Sequence, residues 1–190
     1  MTKIKMIDDN LLITNCIKGK TEAQRALYEK YRSMWFMICL RYVQNREDAL
    51  DILQNALVKI YTKMHQFDAK KAKFSTWSSK IVVNESIVFS KKKVKELGLD
   101  QLHEDALMYA REEENVEWLS AQELTKLVQE LPDGYRLIFN LNVIEGYTHS
   151  EIADLLNISE GTSKSQLFKA KKLLKKKIQI LVQSDERAIP

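Results

Sequence analysis

The chain has 190 residues, 45% of them hydrophobic and 29% charged. That is apolar matter for one sizeable core or two small ones, and it excludes a disordered chain. The net charge of +4 is small, but lysines crowd at 70–73, 91–95 and 164–177 while acids crowd between 96 and 117, so separate contact surfaces are expected. Two cysteines exclude a disulfide framework, and the opening MTKIKMIDDN lacks the apolar run of a signal peptide or membrane span; a cytoplasmic chain without membrane insertion is expected.

Only five glycines and two prolines punctuate the sequence, which predicts long helices and an all-α fold. A short helix is expected over Asp9 to Ile17, ended by Gly19. Thr21 and Gln24 have capping-box spacing, and Leu27, Tyr31, Met34, Trp35, Ile38 and Tyr42 then recur at helical period. Asn45 is placed to cap the next helix, with Glu47 and Asp48 in its first turn, where carboxylates suit the dipole. Its apolar face reads Ala49, Ile52, Leu53, Ala56, Leu57, Ile60 and Met64.

The stretch AKKAKFSTWSSKIVVNES follows. The β-branched run Ile81–Val83 favours a strand, yet no second strand candidate lies nearby, and a lone strand leaves its backbone groups unpaired. A helix from about Ser75 to Lys93 is predicted instead, with Ser75 as N-cap and a stripe of Phe74, Trp77, Ile81 and Val88 broken by Asn84. From Val94 to Trp118 the apolar period weakens and acids accumulate. This reads as an acidic linker, equally well a solvated spacer or a functional segment.

Beyond it, Leu124, Leu127, Val128 and Leu131 form one helix stopped before Pro132, and Leu137, Ile138, Leu141 and Ile144 a second closed by Gly146. Thr148 and Glu151 make another capping box, and Asn157 stands where a left-handed residue ends the short helix that follows. Ser159 caps a last helix with inner face Ser163, Leu167, Ala170 and Leu174. A short helix, a tight turn and a longer basic helix are the parts of a helix-turn-helix, with Ala153 small at the crossing and Ile158 plugging the turn. Thr162, Lys164, Ser165, Gln166, Phe168, Lys169, Lys171 and Lys172 are expected on the outward face. Hydroxyls, an amide and ammonium groups suit a major groove flanked by phosphates, whereas lysines alone would give only salt-sensitive, sequence-blind attraction. His65, His103 and His149 are scattered and there is no glycine-rich phosphate loop, so neither enzyme chemistry nor a cofactor or metal is expected.

LPDGYRLIFNLNVIEGYTHSEIADLLNISEGTSKSQLFKAKKLL resembles region 4 of bacterial sigma factors of the extracytoplasmic-function (ECF) type. LYEKYRSMWFMICLRYVQNREDALDILQNALVKIYTKM resembles their regions 2.1–2.2, and KFSTWSSKIVVN their regions 2.3–2.4. The resemblance spans nearly the whole chain in the right order. It implies a region 2 domain over 1–95, a linker over 96–118 and a region 4 domain over 119–190. It also implies an alternative sigma factor that binds core RNA polymerase at its clamp coiled coil and flap, recognises −35 and −10 promoter DNA, and assists melting.

On this resemblance Lys70, Lys71, Lys73 and Lys80 would hold phosphates at the −10 element, with Phe74, Trp77 and Asn84 beside the opened bases. From the residues alone, Trp77 is equally a core side chain, and a helix-packing hydrogen bond is the alternative for Asn84. Asp48, Asp51, Gln54, Asn55 and Lys59 would face the polymerase, and an anti-sigma factor is an implied partner. Glu112, Glu113, Glu114 and Glu117 would lie toward the RNA exit path. The chain departs from many relatives at Lys164 and Gln166, where arginines are common, at Asn142, and at Ser78, Ser79 and Ser90. The other reading open to the residues is a helix-turn-helix repressor or activator that binds DNA without entering RNA polymerase.

Overall fold

The computed structural model describes residues 8–96 and 121–186. The acidic segment, with Glu112, Glu113, Glu114 and Glu117, and His103 lie outside these residues. The described residues contain helices and no strand: α1 (Asp9–Ile17), α2 (Thr21–Tyr42), α3 (Arg46–Lys63), a 3-10 turn (Met64–Gln66), α4 (Phe74–Glu96), α5 (Ala121–Gln129), α6 (Asp133–Phe139), a π-helical segment (Asn140–Ile144), α7 (His149–Leu156) and α8 (Glu160–Glu186). Among them, no helix is long and apolar enough to cross a membrane. They cluster into two compact units, one of residues up to 39 with 45–86, the other of 40–44 with residues from 87 onward.

In the first unit α1 runs where the sequence places it, with the Asp8 carboxylate accepting from the Asn10 amide at its start and Gly19 supplying a φ of 74° just past its end. Asp9 joins it to α2 by accepting from Lys30 at 2.7 Å and from the Tyr31 hydroxyl at 2.6 Å. Burial would raise the Asp9 carboxyl, but these two donors and the Lys30 charge outweigh it and hold it below its ordinary value. Helix α2 starts at Thr21 itself rather than after it. The Lys20 carbonyl accepts from the Ala23 and Gln24 amides, so Lys20 takes the N-cap position that Thr21 was expected to fill. Asn45 caps α3 as expected, accepting from the Asp48 amide at 2.8 Å. Ala49, Ile52, Leu53, Ala56, Ile60 and Met64 are buried, with Leu57 half-buried at the margin.

Helix α4 departs from expectation in its rotation. It begins at Phe74 rather than after a Ser75 cap. Its buried residues are Phe74, Ser78, Val82, Val83, Ser86, Ile87, Ser90 and Val94, a fourth-residue row with serine at three positions. Trp77 and Ile81 lie at the margin of this row, while Val88 and Asn84 are exposed, so Asn84 interrupts no buried stripe. The three serines are accommodated because each hydroxyl finds a carbonyl: Ser75 for Ser78, Val82 for Ser86 and Tyr42 for Ser90. Cys16 and Cys39 are both buried; burial raises the Cys16 thiol and pushes Cys39 up to about 12, so they pack as small apolar groups.

The second unit centres on Arg136, whose guanidinium is buried. It donates to the carbonyls of Tyr42 at 3.1 Å, and of Gln129 and Leu131 at 2.7 Å each, and pairs with Asp133. Asn140, also buried, donates to the Arg41 and Arg136 carbonyls, and Glu145 accepts from Arg41 and from the Tyr42 hydroxyl. Gly146, at φ 79°, ends the π-helical segment. Helices α6 and α7 both pack on α8, and the expected inner face of α8 (Ser163, Leu167, Ala170, Leu174) is buried.

Candidate nucleic-acid interface

The turn between α7 and α8 is built by local chemistry. Thr148 and Glu151 form the complete capping box: the Thr148 hydroxyl accepts from the Glu151 amide, and the Glu151 carboxylate accepts from the Thr148 amide at 2.7 Å. These bonds hold the exposed Glu151 carboxyl below its usual range. Asn157 takes the left-handed conformation at φ 58°, ψ 51°, the only non-glycine residue with positive φ among those described. The Ile158 amide then donates back to the Ala153 carbonyl, and the Ser159 hydroxyl accepts from the Thr162 amide at 2.9 Å to start α8. Ile158 is half-buried at the turn. The geometry is that of a helix-turn-helix.

The expected outward row of α8 is split. Lys171 and Lys172 are exposed, and Lys164, Phe168 and Lys169 half-buried, whereas Thr162, Ser165 and Gln166 are buried. The outward placement of these three is therefore corrected. Thr162 shares its hydroxyl with Ser159, and Ser165 returns its hydroxyl to the Thr162 carbonyl one turn back. Gln166 sits beside Leu167 and one turn before Ala170, on the shoulder of the inner face. Asn142 donates to the Tyr147 carbonyl at 2.9 Å, closing the loop ahead of α7.

One of the three scattered histidines stands at this corner. His149, first residue of α7, meets the buried Ser163 hydroxyl with Nδ1 at 2.8 Å. Burial first, then the charges of Lys164 and Lys171, lower its pKa below the ordinary value near 6.5, with Glu160 pulling the other way. The signal in the sequence was spacing alone: His149 lies one residue past a capping threonine, and Ser163 falls on the inner face of the next helix.

In the first unit, the loop before α4 presents Lys70, Lys71 and Lys73 to solvent, and Lys80 and Asn84 are exposed on α4. Asp68 shapes the loop: its carboxylate accepts from the Lys70 amide at 2.9 Å and its carbonyl from the Lys71 amide. Phe74 is core, with ring centroids 5.3 Å from Tyr31 and 5.4 Å from Phe67. The structure thus places Phe74 behind the expected contact surface rather than on it. Trp77 is half-buried, 5.6 Å from both Phe67 and Phe74, so one side packs while the rest is open to solvent. On α3, Asp51, Gln54, Asn55 and Lys59 are exposed and Asp48 half-buried, with Lys59 paired to Glu85 of α4.

Residues 27–95 match the sigma-70 region 2 family and residues 121–174 the sigma-70 region 4 family. The chain belongs to the sigma-70 family of RNA polymerase sigma factors and is of the ECF type, a class of transcription initiation factors. It is 29% identical over 175 residues to the ECF RNA polymerase sigma factor SigW of Bacillus subtilis, covering 86% of this chain and 93% of that one. It is 26% identical over 191 residues to the ECF RNA polymerase sigma-E factor of Escherichia coli K12, covering 94% and 98%. Among solved structures it aligns with CnrH in complex with the cytosolic domain of CnrY, over 90% of this chain and 97% of that one, at TM-score 0.46 and 16% identity. It also aligns with RpoE in complex with the anti-sigma factor NepR from Bartonella quintana, over 82% and 96%, at TM-score 0.44 and 18% identity. As a sigma factor the chain binds core RNA polymerase and directs it to promoter DNA.

Proposed function

We propose the division of that work among this chain's residues. Residues 1–95 and 119–190 carry separate tasks, the first opening the −10 element and the second reading the −35 element. The observation that carries this reading is that one chain holds both a solvent-facing lysine loop beside a half-buried tryptophan and a fully capped helix-turn-helix.

Lys70, Lys71, Lys73 and Lys80 hold phosphates of the opened strand, Trp77 receives an unstacked base, and Asn84 contacts the same strand. Phe74 serves by bracing Trp77. On α8, Lys164, Phe168, Lys169 and Lys171 meet the −35 duplex, while Thr162, Ser165 and Gln166 set the helix behind them. Asp48, Asp51, Gln54, Asn55 and Lys59 form the face that docks on the polymerase clamp coiled coil, and the second domain docks on the flap. The chain catalyses no bond chemistry, works in the cytoplasm and is held in check by an anti-sigma factor.

The test is size-exclusion copurification of the chain with core RNA polymerase, using Asp51→Arg and Gln54→Arg as interface variants. A stable complex that both substitutions weaken supports the reading. Tight duplex binding by the free chain with no polymerase complex would instead indicate an independent helix-turn-helix regulator.

A further inference from the structure

We propose that His149 is a phosphate contact of the helix-turn-helix, forming with Lys164 and Lys171 a corner that couples DNA binding by this unit to proton uptake. The inference rests on the reading that α7 and α8 dock on duplex DNA.

The corner is built rather than incidental. Lys164 and Lys171 are seven residues apart on α8, two turns of helix, and so project from the same side. His149 opens α7 on that side, and its bond to Ser163 pins the ring against α8. The imidazole is half-buried, so the pinned ring still reaches solvent.

Among the described residues, α8 contributes Lys164, Lys171 and the opposing carboxylate Glu160, which Lys164 engages at 3.3 Å. From α7 itself comes Glu151, tied to the Thr148 amide and hydroxyl. The π-helical segment packed on α7 carries no ionisable side chain. From α4, Lys91 donates to the Leu155 carbonyl, about 9 Å along the helix at its opposite end. The amides at the start of α7 add positive potential. Without DNA, burial and the two lysines disfavour the imidazolium.

A backbone phosphate seated between His149 and the two lysines reverses the sign. An anion within about 4–6 Å favours the imidazolium, so the complex takes up a proton that the free chain does not hold. Linkage fixes the direction: affinity rises as pH falls through the midpoint of the bound state and levels off below that of the free state. The contact carries no base information, so it strengthens binding without changing sequence preference. One further cation at the phosphates steepens the salt dependence by about 0.9 in log–log slope at low pH relative to high.

The test uses the full chain and a mixed-sequence duplex of about 30 base pairs. Imidazole resonances are followed by NMR from about pH 5 to 8 with and without DNA, and fluorescence anisotropy gives affinity at two salt concentrations. The expected result is a His149 midpoint about one unit higher with DNA bound, and about ten-fold tighter binding at the acid end. That pH effect is lost in His149→Gln and kept in His65→Gln. A His149 midpoint that DNA leaves unchanged or lowers would overturn the inference, and the NMR arm needs no substituted protein. Duplex binding that is flat in pH, or whose pH effect survives His149→Gln, overturns the inference but leaves the DNA-binding reading standing. No duplex binding at any pH, with or without core polymerase, would overturn both.

Discussion

The indole N–H of Trp35 donates a 3.0 Å hydrogen bond to the Ser78 hydroxyl, with both side chains fully buried. This bond joins α2 to α4 in the first unit and explains a serine at the centre of a helix interface. The small side chain lets the helices approach, and its oxygen satisfies a tryptophan N–H that has no access to water. Ser78→Ala leaves that N–H unpaired and is expected to cost about 1–3 kcal/mol in urea unfolding. Ser86→Ala, whose hydroxyl bonds the Val82 carbonyl of its own helix and meets only the weakly polar Cys39 thiol across the interface, should cost under about 1 kcal/mol. Equal losses at the two positions would mean that the Trp35 bond contributes nothing special.

Arg136 is the corresponding keystone of the second unit. Replacing it with methionine keeps much of the volume but strips hydrogen bonds from the Tyr42, Gln129 and Leu131 carbonyls and leaves Asp133 without its partner. A loss of about 3–5 kcal/mol is expected, the range for breaking one side of a buried charged network. Arg136→Lys, which cannot reproduce the fork of donors, should recover only part of it. Thermal unfolding of both variants checks the order.

On the proposed division of roles, Trp77 and Lys169 belong to different DNA steps. Because Trp77 packs on Phe67 and Phe74 with one side only, Trp77→Ala should cost about 1–2 kcal/mol of stability, less than a fully buried aromatic. It should also slow promoter opening by about ten-fold, since base–aromatic stacking contributes about 1–3 kcal/mol. Trp77→Phe should restore most of the packing and part of the opening. Lys169→Ala should weaken closed-complex binding and lower the salt slope by about one unit, leaving the opening rate unchanged. The readout is holoenzyme on DNA carrying a fluorescent adenine analogue in the −10 element. Normal opening by Trp77→Ala would reduce the tryptophan to packing.

Asn157 provides a local test of the turn. Its left-handed backbone costs a β-carbon-bearing residue about 1 kcal/mol, a cost that glycine lacks. Asn157→Gly is expected to be neutral or slightly stabilising and Asn157→Ala destabilising by about 1 kcal/mol. The reverse order would show that the Asn side chain, not the backbone, holds the turn.

How much of this was legible in the sequence depended on whether burial and hydrophobicity coincide. On α3 they do, and the face from Ala49 to Met64 reads directly. The α7–α8 turn reads equally well, because Thr148, Glu151, Asn157 and Ser159 act through local backbone bonds that spacing alone specifies. On α4 they part. Ser78, Ser86 and Ser90 are buried while Val88 is 61% exposed, so a search for apolar period turns the helix by about one residue. The same parting hides Gln166 in the interior, whereas Phe74, set beside the DNA by the resemblance alone, is an apolar side chain in the core. Arg136 and His149 were not singled out because their partners, distant carbonyls and a serine on another helix, are set by tertiary packing.

The central claim is that the chain gives RNA polymerase its promoter choice, and transcription in a purified system tests it most directly. Core RNA polymerase with and without the chain is supplied with fragmented genomic DNA from the chain's own source, and transcript 5′ ends are mapped. The account predicts a discrete set of start sites that requires the chain, shares one pair of upstream elements at −35 and −10 spacing, and is abolished by combining Lys169→Ala with Trp77→Ala. Start sites identical with and without the chain, or start sites that survive the double substitution intact, would contradict it.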